Sequence, residues 1–181
     1  MSNPIFRIQK ASKKSNLTND PPYFLSIIWG KLTITKLYNE GEQLWSLLPA
    51  STPDQTGGFW IINTNTNLAL KYNLDTGEVF PAPLDKKEMS FVWSVNYLQV
   101  WRNQIDYSFS PIRHPDRRMT AEVVEVPTTS NSTIYDVMYI RLVGDAGSPA
   151  NQAWDLKPDV TSSLNPEKPF INSSLHVVGA Y

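Results

Sequence analysis

The sequence predicts an all-β protein of twelve short strands, arranged as three successive units of four. Three observations carry this. Helical periodicity is scarce, whereas short apolar or alternating runs recur between turn residues. Two segments, "EQLWSLLP" at Glu42–Pro49 and "NQAWDLKP" at Asn151–Pro158, share the pattern Gln-x-Trp-x-Leu-x-Pro, which calls for a test of internal repetition. Each of them closes a run of four strand candidates. Composition agrees: 181 residues with 41% hydrophobic and 18% charged side chains, 14 prolines and 8 glycines fit one loop-rich domain able to bury a core.

The first unit runs from "FRIQ", which alternates apolar and polar residues, through the apolar "YFLSI" and the β-branched alternation of "KLTIT" to "QLWSLLP". Its dividers, "NDPP" and "NEGE", hold residues that enforce or tolerate turns. The second unit repeats the order with "FWIIN", "LALKY", "GEVFPA" and "FVWSVNY", separated from the first by "TPDQTGG" and broken internally at "LDTGE". The third has "YSFSPI", "TAEVVEV", "MYIRLV" and "QAWDLKP", with turn text at "HPDRR" and "GDAGSPAN" and a longer insertion around "PTTSNST". The units end on Trp45, Trp93 and Trp154 and occupy about residues 4–52, 57–98 and 104–158 of a domain spanning 1–160. Residues 161–181 form a C-terminal extension in which "SLHVVGAY" is a further strand candidate, able to cover an open edge or mediate a homodimer.

Four strands cannot bury their apolar faces alone, but three such units together form a closed twelve-stranded structure with pseudo-threefold symmetry. At this point the residues carry a family resemblance. "EQLWSLLP" and "NQAWDLKP" resemble the Gln-x-Trp motif of ricin-B-type β-trefoil lectins, and "FWIINTNTNLALKY" resembles the opening of one of their repeats. The likeness spans roughly residues 4–160; the middle unit departs, with Phe91 where glutamine is expected. It implies a β-trefoil in which the tryptophans are core residues and the glutamine is a hydrogen-bonding residue beside a sugar site. A buried tryptophan is worth about 3–5 kcal/mol by truncation, so the motif first argues for a fold.

The resemblance also implies where sugar would bind: an acid at the end of the second strand, an aromatic ring near the third, and an asparagine before the Gln-x-Trp. A carboxylate and an amide grip neighbouring hydroxyls while a ring packs on the C–H face of the sugar. The first unit offers Ser26 and Glu42 at the acid and asparagine positions, and the second Lys71 and Ser90, so both read as degenerate. The third offers Glu122, Tyr139 and Asn151 next to Gln152, and these four are the expected carbohydrate-binding residues.

Other chemistry finds little support. With 16 basic against 17 acidic residues there is no field to draw in nucleic acid, and "KASKK" and "RHPDRR" read as solvated loops. The absence of cysteine removes disulfides, thiol catalysis and thiolate metal sites. His114 and His176 are too few for a histidine metal cluster, "GDAGSPA" is not a nucleophile elbow, Asp136 and Asp145 show no tuning, and "TPDQTGGF" lacks the lysine of a phosphate loop. No enzyme activity, metal or cofactor is expected. An N-terminus without an apolar signal-peptide run and the lack of a membrane-length segment make a cytosolic protein without membrane insertion the expectation, so the glycosylation triplets at Asn16, Asn131 and Asn172 read as loop text. The expected function is a non-catalytic lectin for galactose- or GalNAc-type glycans. The alternative is a trefoil whose Pro-rich loops bind a protein, as a protease inhibitor does.

Overall fold

The computed structural model describes residues 4–10, 23–36, 41–52, 55–101, 104–123, 138–144 and 152–159. Twelve strands follow in chain order: β1 (Ile5–Lys10), β2 (Tyr23–Ile28), β3 (Lys31–Lys36), β4 (Trp45–Thr52), β5 (Gln55–Asn63), β6 (Leu68–Tyr72), β7 (Val79–Pro83), β8 (Trp93–Trp101), β9 (Gln104–Pro111), β10 (Arg117–Val123), β11 (Met138–Gly144) and β12 (Trp154–Pro158). Single 3-10 turns, Gly41–Gln43 and Met89–Phe91, lead into β4 and β8. All twelve expected strands are present, although "TAEVVEV" is entered three residues early, at Arg117. The candidate strand in "SLHVVGAY" lies outside the described residues.

Six strands close into a ring: β1 pairs with β4, β4 with β5, β5 with β8, β8 with β9, β9 with β12 and β12 with β1, all antiparallel. Closure removes the unpaired edges that an open sheet would expose. The other six make three hairpins, β2–β3, β6–β7 and β10–β11. Their second strands, β3, β7 and β11, touch one another. The second hairpin is stitched to the third by Leu142 N–H donating to the Gly77 carbonyl at 2.7 Å.

The threefold relation is written in the register. Trp45 pairs with Phe6, Trp93 with Phe59 and Trp154 with Tyr107, and all three indoles are fully buried. Each Nε1 donates to the carbonyl of the third residue of its unit's hairpin: Leu25 at 2.9 Å, Leu70 at 2.9 Å and Met119 at 3.0 Å. A buried indole N–H left unpaired would be costly, so each tryptophan locks a hairpin onto the ring. Because strand side chains alternate, Leu25 and Ile27, Leu70 and Tyr72, and Met119 and Ala121 enter the core from equivalent places.

Two positions show where the backbone constrains the residue. Gly58, at φ +83°, lets β5 approach β8 so closely that an added Cβ would lie 2.9 Å from the Trp93 carbonyl oxygen. At the tip of the first hairpin, Trp29 (φ +49°) and Gly30 form a two-residue turn, with the indole 94% exposed. Such turns favour Asn-Gly because both residues are left-handed, so a tryptophan there carries backbone strain without burying its ring.

Candidate functional site

The three tryptophan hydrogen bonds define which hairpin residues are equivalent. The residues after Leu25, Leu70 and Met119 are Ser26, Lys71 and Thr120, and across the hairpins these stand opposite Thr33, Phe80 and Arg141. In the third unit the residue in register with Ser26 and Lys71 is Thr120, and Glu122, the carboxylate expected to bind sugar, lies two residues further along the same face of β10.

Of the four residues expected to bind sugar, Glu122 is on β10 opposite residue 139 of β11. Its half-exposed carboxylate reaches the Arg141 guanidinium at 3.7 Å, a loose surface pair. Gln152 is 3% exposed; its Nε2 donates to the Thr120 hydroxyl at 3.2 Å and to the Gly144 carbonyl at 3.1 Å. It ties the segment before Trp154 to both strands of the hairpin. Asn151 and the side chain of Tyr139 lie outside the described residues.

The first unit uses its glutamine in the same way. Gln43 is 1% exposed and donates to the Thr35 hydroxyl at 3.2 Å, and that hydroxyl is 2.9 Å from the Ser26 hydroxyl. In both units the polar residue of the hairpin is spent inside the fold.

The second unit is built otherwise. Phe91 replaces the glutamine and is buried, and the Lys71 ammonium lies 5.3 Å from its ring centroid, within cation–π range. The same ammonium is 2.7 Å from Glu88 Oε1, which also accepts from the Ser90 hydroxyl at 2.6 Å. These bonds, first from Lys71 and then from Ser90, hold the Glu88 carboxyl below its ordinary range, so it stays ionised. Lys71 and Glu88 open into a cleft of about 520 Å³, with Asn73 and Phe80 on the hairpin side and Arg113 and His114 from the β9–β10 turn. That turn is fixed to the second hairpin by Arg117 Nη1 donating to the Leu74 carbonyl at 2.8 Å. Beneath the cleft Tyr72 packs edge-on to Trp93 at 5.1 Å and donates its hydroxyl to the Met89 carbonyl at 2.8 Å. Burial pushes the Tyr72 phenol up to about 12, against an opposing pull from Arg113.

Reading by family position passes over this cleft, because Lys71 and Phe91 are the wrong residue types for the motif. The signal available in the sequence is their joint departure: the two units that keep glutamine have a hydroxyl at the hairpin position, and the unit that loses it has a lysine. Among the described residues no group of three or more metal-ligating side chains comes together, and no helix is long and apolar enough to cross a membrane.

No protein-family model and no curated protein matches the sequence. Solved structures are similar to it in fold. The BEL β-trefoil superposes with a TM-score of 0.60 at 11% identity, over 88% of this chain and 95% of that one. The cytolethal distending toxin of Actinobacillus actinomycetemcomitans gives 0.57 at 10% identity, over 88% and 95%. The GlcNAcα1-4Gal-releasing endo-β-galactosidase of Clostridium perfringens gives 0.59 at 18% identity, over 86% of this chain but only 32% of the enzyme. At these identities the likeness speaks to architecture alone. Together with the closed six-stranded ring, the three hairpins and the three matched tryptophans, it makes the fold a β-trefoil.

Proposed function

We propose that this protein is a non-catalytic carbohydrate-binding module that engages glycans through the outer faces of its hairpins. The observation that carries the reading is the hairpin-to-ring construction itself. Each hairpin is clamped by a buried tryptophan, so its outward residues are presented on a rigid support, as weak hydroxyl recognition requires. One structural neighbour is a glycan-cleaving enzyme, which supports the class of ligand without assigning the sugar.

In the third repeat the proposed contacts are Glu122, Tyr139 and Asn151, with Gln152 behind them as the buried tie, and galactose or GalNAc glycans as the ligand. The half-exposed Glu122 carboxylate opposite residue 139 is the arrangement that favours this. A glycan array with the immobilised protein is expected to give discrete hits that Glu122→Gln and Asn151→Ala abolish. Hits untouched by both substitutions would remove the third repeat from the proposal.

A second reading, protein recognition by the loops, draws on the β9–β10 turn. That turn is pinned by His114 N–H to the Pro111 carbonyl at 2.9 Å and by Arg117 to Leu74, so it presents a fixed edge. A panel of serine and cysteine proteases tests it, and inhibition at micromolar protein would favour it over glycan binding.

A further inference from the structure

A second cleft, of about 580 Å³, lies between β4–β5 and the open end of the β6–β7 hairpin, where Leu68 pairs with Pro83. It shares no lining residue with the Lys71 cleft, and none with the third-repeat positions. Its walls are aliphatic: Leu48, Ile62, Leu68, Pro83 and Leu84. Strand alternation puts them there. Ile61 enters the main core, so Trp60 and Ile62 face the other way, and Leu48 stands across from Trp60. Leu48, Ile62 and Leu84 pack against the smaller apolar cluster that holds Trp60 and Phe91, but they are only half-buried, so the cleft keeps apolar surface in contact with solvent.

The polar lining is sparse. The Thr66 hydroxyl is spent in the β5–β6 turn, donating to Asn63 Oδ1 at 3.1 Å and accepting from Leu68 N–H at 3.3 Å. Asn67 stands exposed in the same turn. Lys86 is the one ionisable residue of the lining. Its ammonium rests 5.5 Å from the centroid of the Trp60 ring, a cation–π contact, and meets no carboxylate within ion-pair distance among the described residues. The adjacent Asp85 carboxylate lies outside the lining and accepts from the Lys87 N–H at 2.9 Å. The charge at this cleft is thus placed by a ring and not matched by an acid.

A sugar suits such a site poorly, because no aromatic ring lines it to take a C–H face and its walls would strip hydroxyls of water without replacing their hydrogen bonds. Aliphatic walls and a single unmatched cation ask for a saturated, flexible body with one anionic head. We infer that this cleft binds a straight-chain alkyl carboxylate, a free fatty acid of medium length. The chain lies along Leu48, Leu68 and Leu84, and the carboxylate meets Lys86. The inference stands apart from the glycan reading and uses none of its residues.

The experiment is calorimetric titration of the full chain with hexanoate, octanoate and decanoate, each below its micelle concentration, with octanol as the neutral probe and acetate as the bare anion. Affinity should rise about fourfold per added methylene, at one site per chain. Lys86→Met should weaken octanoate about fivefold or more while leaving octanol unchanged, and Lys86→Arg should keep most of the affinity. Leu84→Asp, which cuts back a wall and places a carboxylate in the cleft, should abolish octanoate binding. Lys86 is exposed, so its variants keep the fold, and thermal melts check Leu84→Asp.

Octanol binding as tightly as octanoate, or octanoate binding unmoved by Lys86→Met, overturns the anionic head. Acetate binding as tightly as the longer acids, or no dependence on chain length, overturns the alkyl body. Several equal sites per chain overturn the cleft as the place of binding. Pelleting with phosphatidylglycerol vesicles that Lys86→Met abolishes, without binding of the free acids, would assign the cleft to a lipid surface and overturn the free acid as its ligand. If none of the acids binds, the inference fails, and the outcome of the glycan array is unaffected.

Discussion

The second repeat and its two siblings share one skeleton and use it for opposite ends. In the first and third repeats the glutamine before the tryptophan is buried and its amide N–H2 donates to a hydroxyl of its own hairpin, so the glutamine's donor is used inside the fold. In the second, an apolar ring fills that place and the hairpin residue becomes a lysine, held by a carboxylate at the mouth of a cleft. The lesson is that holding a hairpin to the ring and presenting polar groups to solvent compete for the same position. A buried hydrogen bond is lost when the amide goes, but Phe91 repays part of it by burial and frees the neighbouring polar residue to face outward.

The strongest test of the shared skeleton is truncation of the three tryptophans. Trp45→Ala, Trp93→Ala and Trp154→Ala are each expected to lose about 3–5 kcal/mol in urea unfolding, with similar values. A much smaller loss at Trp93 would mean that the second hairpin is not anchored like the others.

Alkaline titration probes the second hairpin next, beside a same-signed contribution from Tyr107 of β9, whose phenol is also raised by burial. Tyr72 occupies the place of Ile27 and Ala121, which do not ionise. Its phenol is raised from 10.0 to about 12 in the folded state. Stability from this shift is therefore complete below pH 10 and is lost as the pH rises towards 12, by about 2 kcal/mol. Tyr72→Phe should flatten that part of the stability–pH curve, and an unchanged curve would place the alkaline sensitivity elsewhere.

Exchanging the motif probes the difference itself. Phe91→Gln puts the sibling residue into the second repeat without its hydroxyl partner and should cost about 1–3 kcal/mol. Adding Lys71→Thr supplies the partner, so the double variant should recover part of the loss, with a coupling of about 0.5–2 kcal/mol. Additive losses would show that the two positions were never linked.

The smallest effect is that of the ion pair. Glu88→Gln should change stability by about 0.5 kcal/mol or less, because the pair is largely solvent-screened, and by less again in high salt. Its carboxyl is depressed by Lys71 and Ser90, so the contribution is present above the ordinary glutamate range and disappears as the pH falls through the lowered folded-state value. A pH dependence of opposite sign would contradict the hydrogen bonding seen at Oε1.

The twelve strands and the three core tryptophans were legible in the sequence because turn residues punctuate every strand and the repeated motif fixes the closing one. The phase of the third hairpin was not. Thr120 and Glu122 lie on the same face of β10, so a shift of two residues preserves the alternation and leaves no trace in the pattern. Only the Trp154 bond to Met119 settles which residue matches Ser26. The second-repeat cleft was hidden for another reason. Its walls come from residues 71–75, 80, 88–90 and 113–114, four separate stretches that no local spacing brings together.

Closure of the six-stranded ring has a consequence for how the chain is cut. Phe6 pairs with Pro158, and the pairing continues through five successive residues of β1 to Trp154, so the first and last strands of the barrel are neighbours in space. Where the polypeptide is opened is then a matter of genetics more than of architecture. A circular permutant that joins β12 to β1 by a short linker and begins at β5 would keep every ring partnership, turning the second repeat into the leading one.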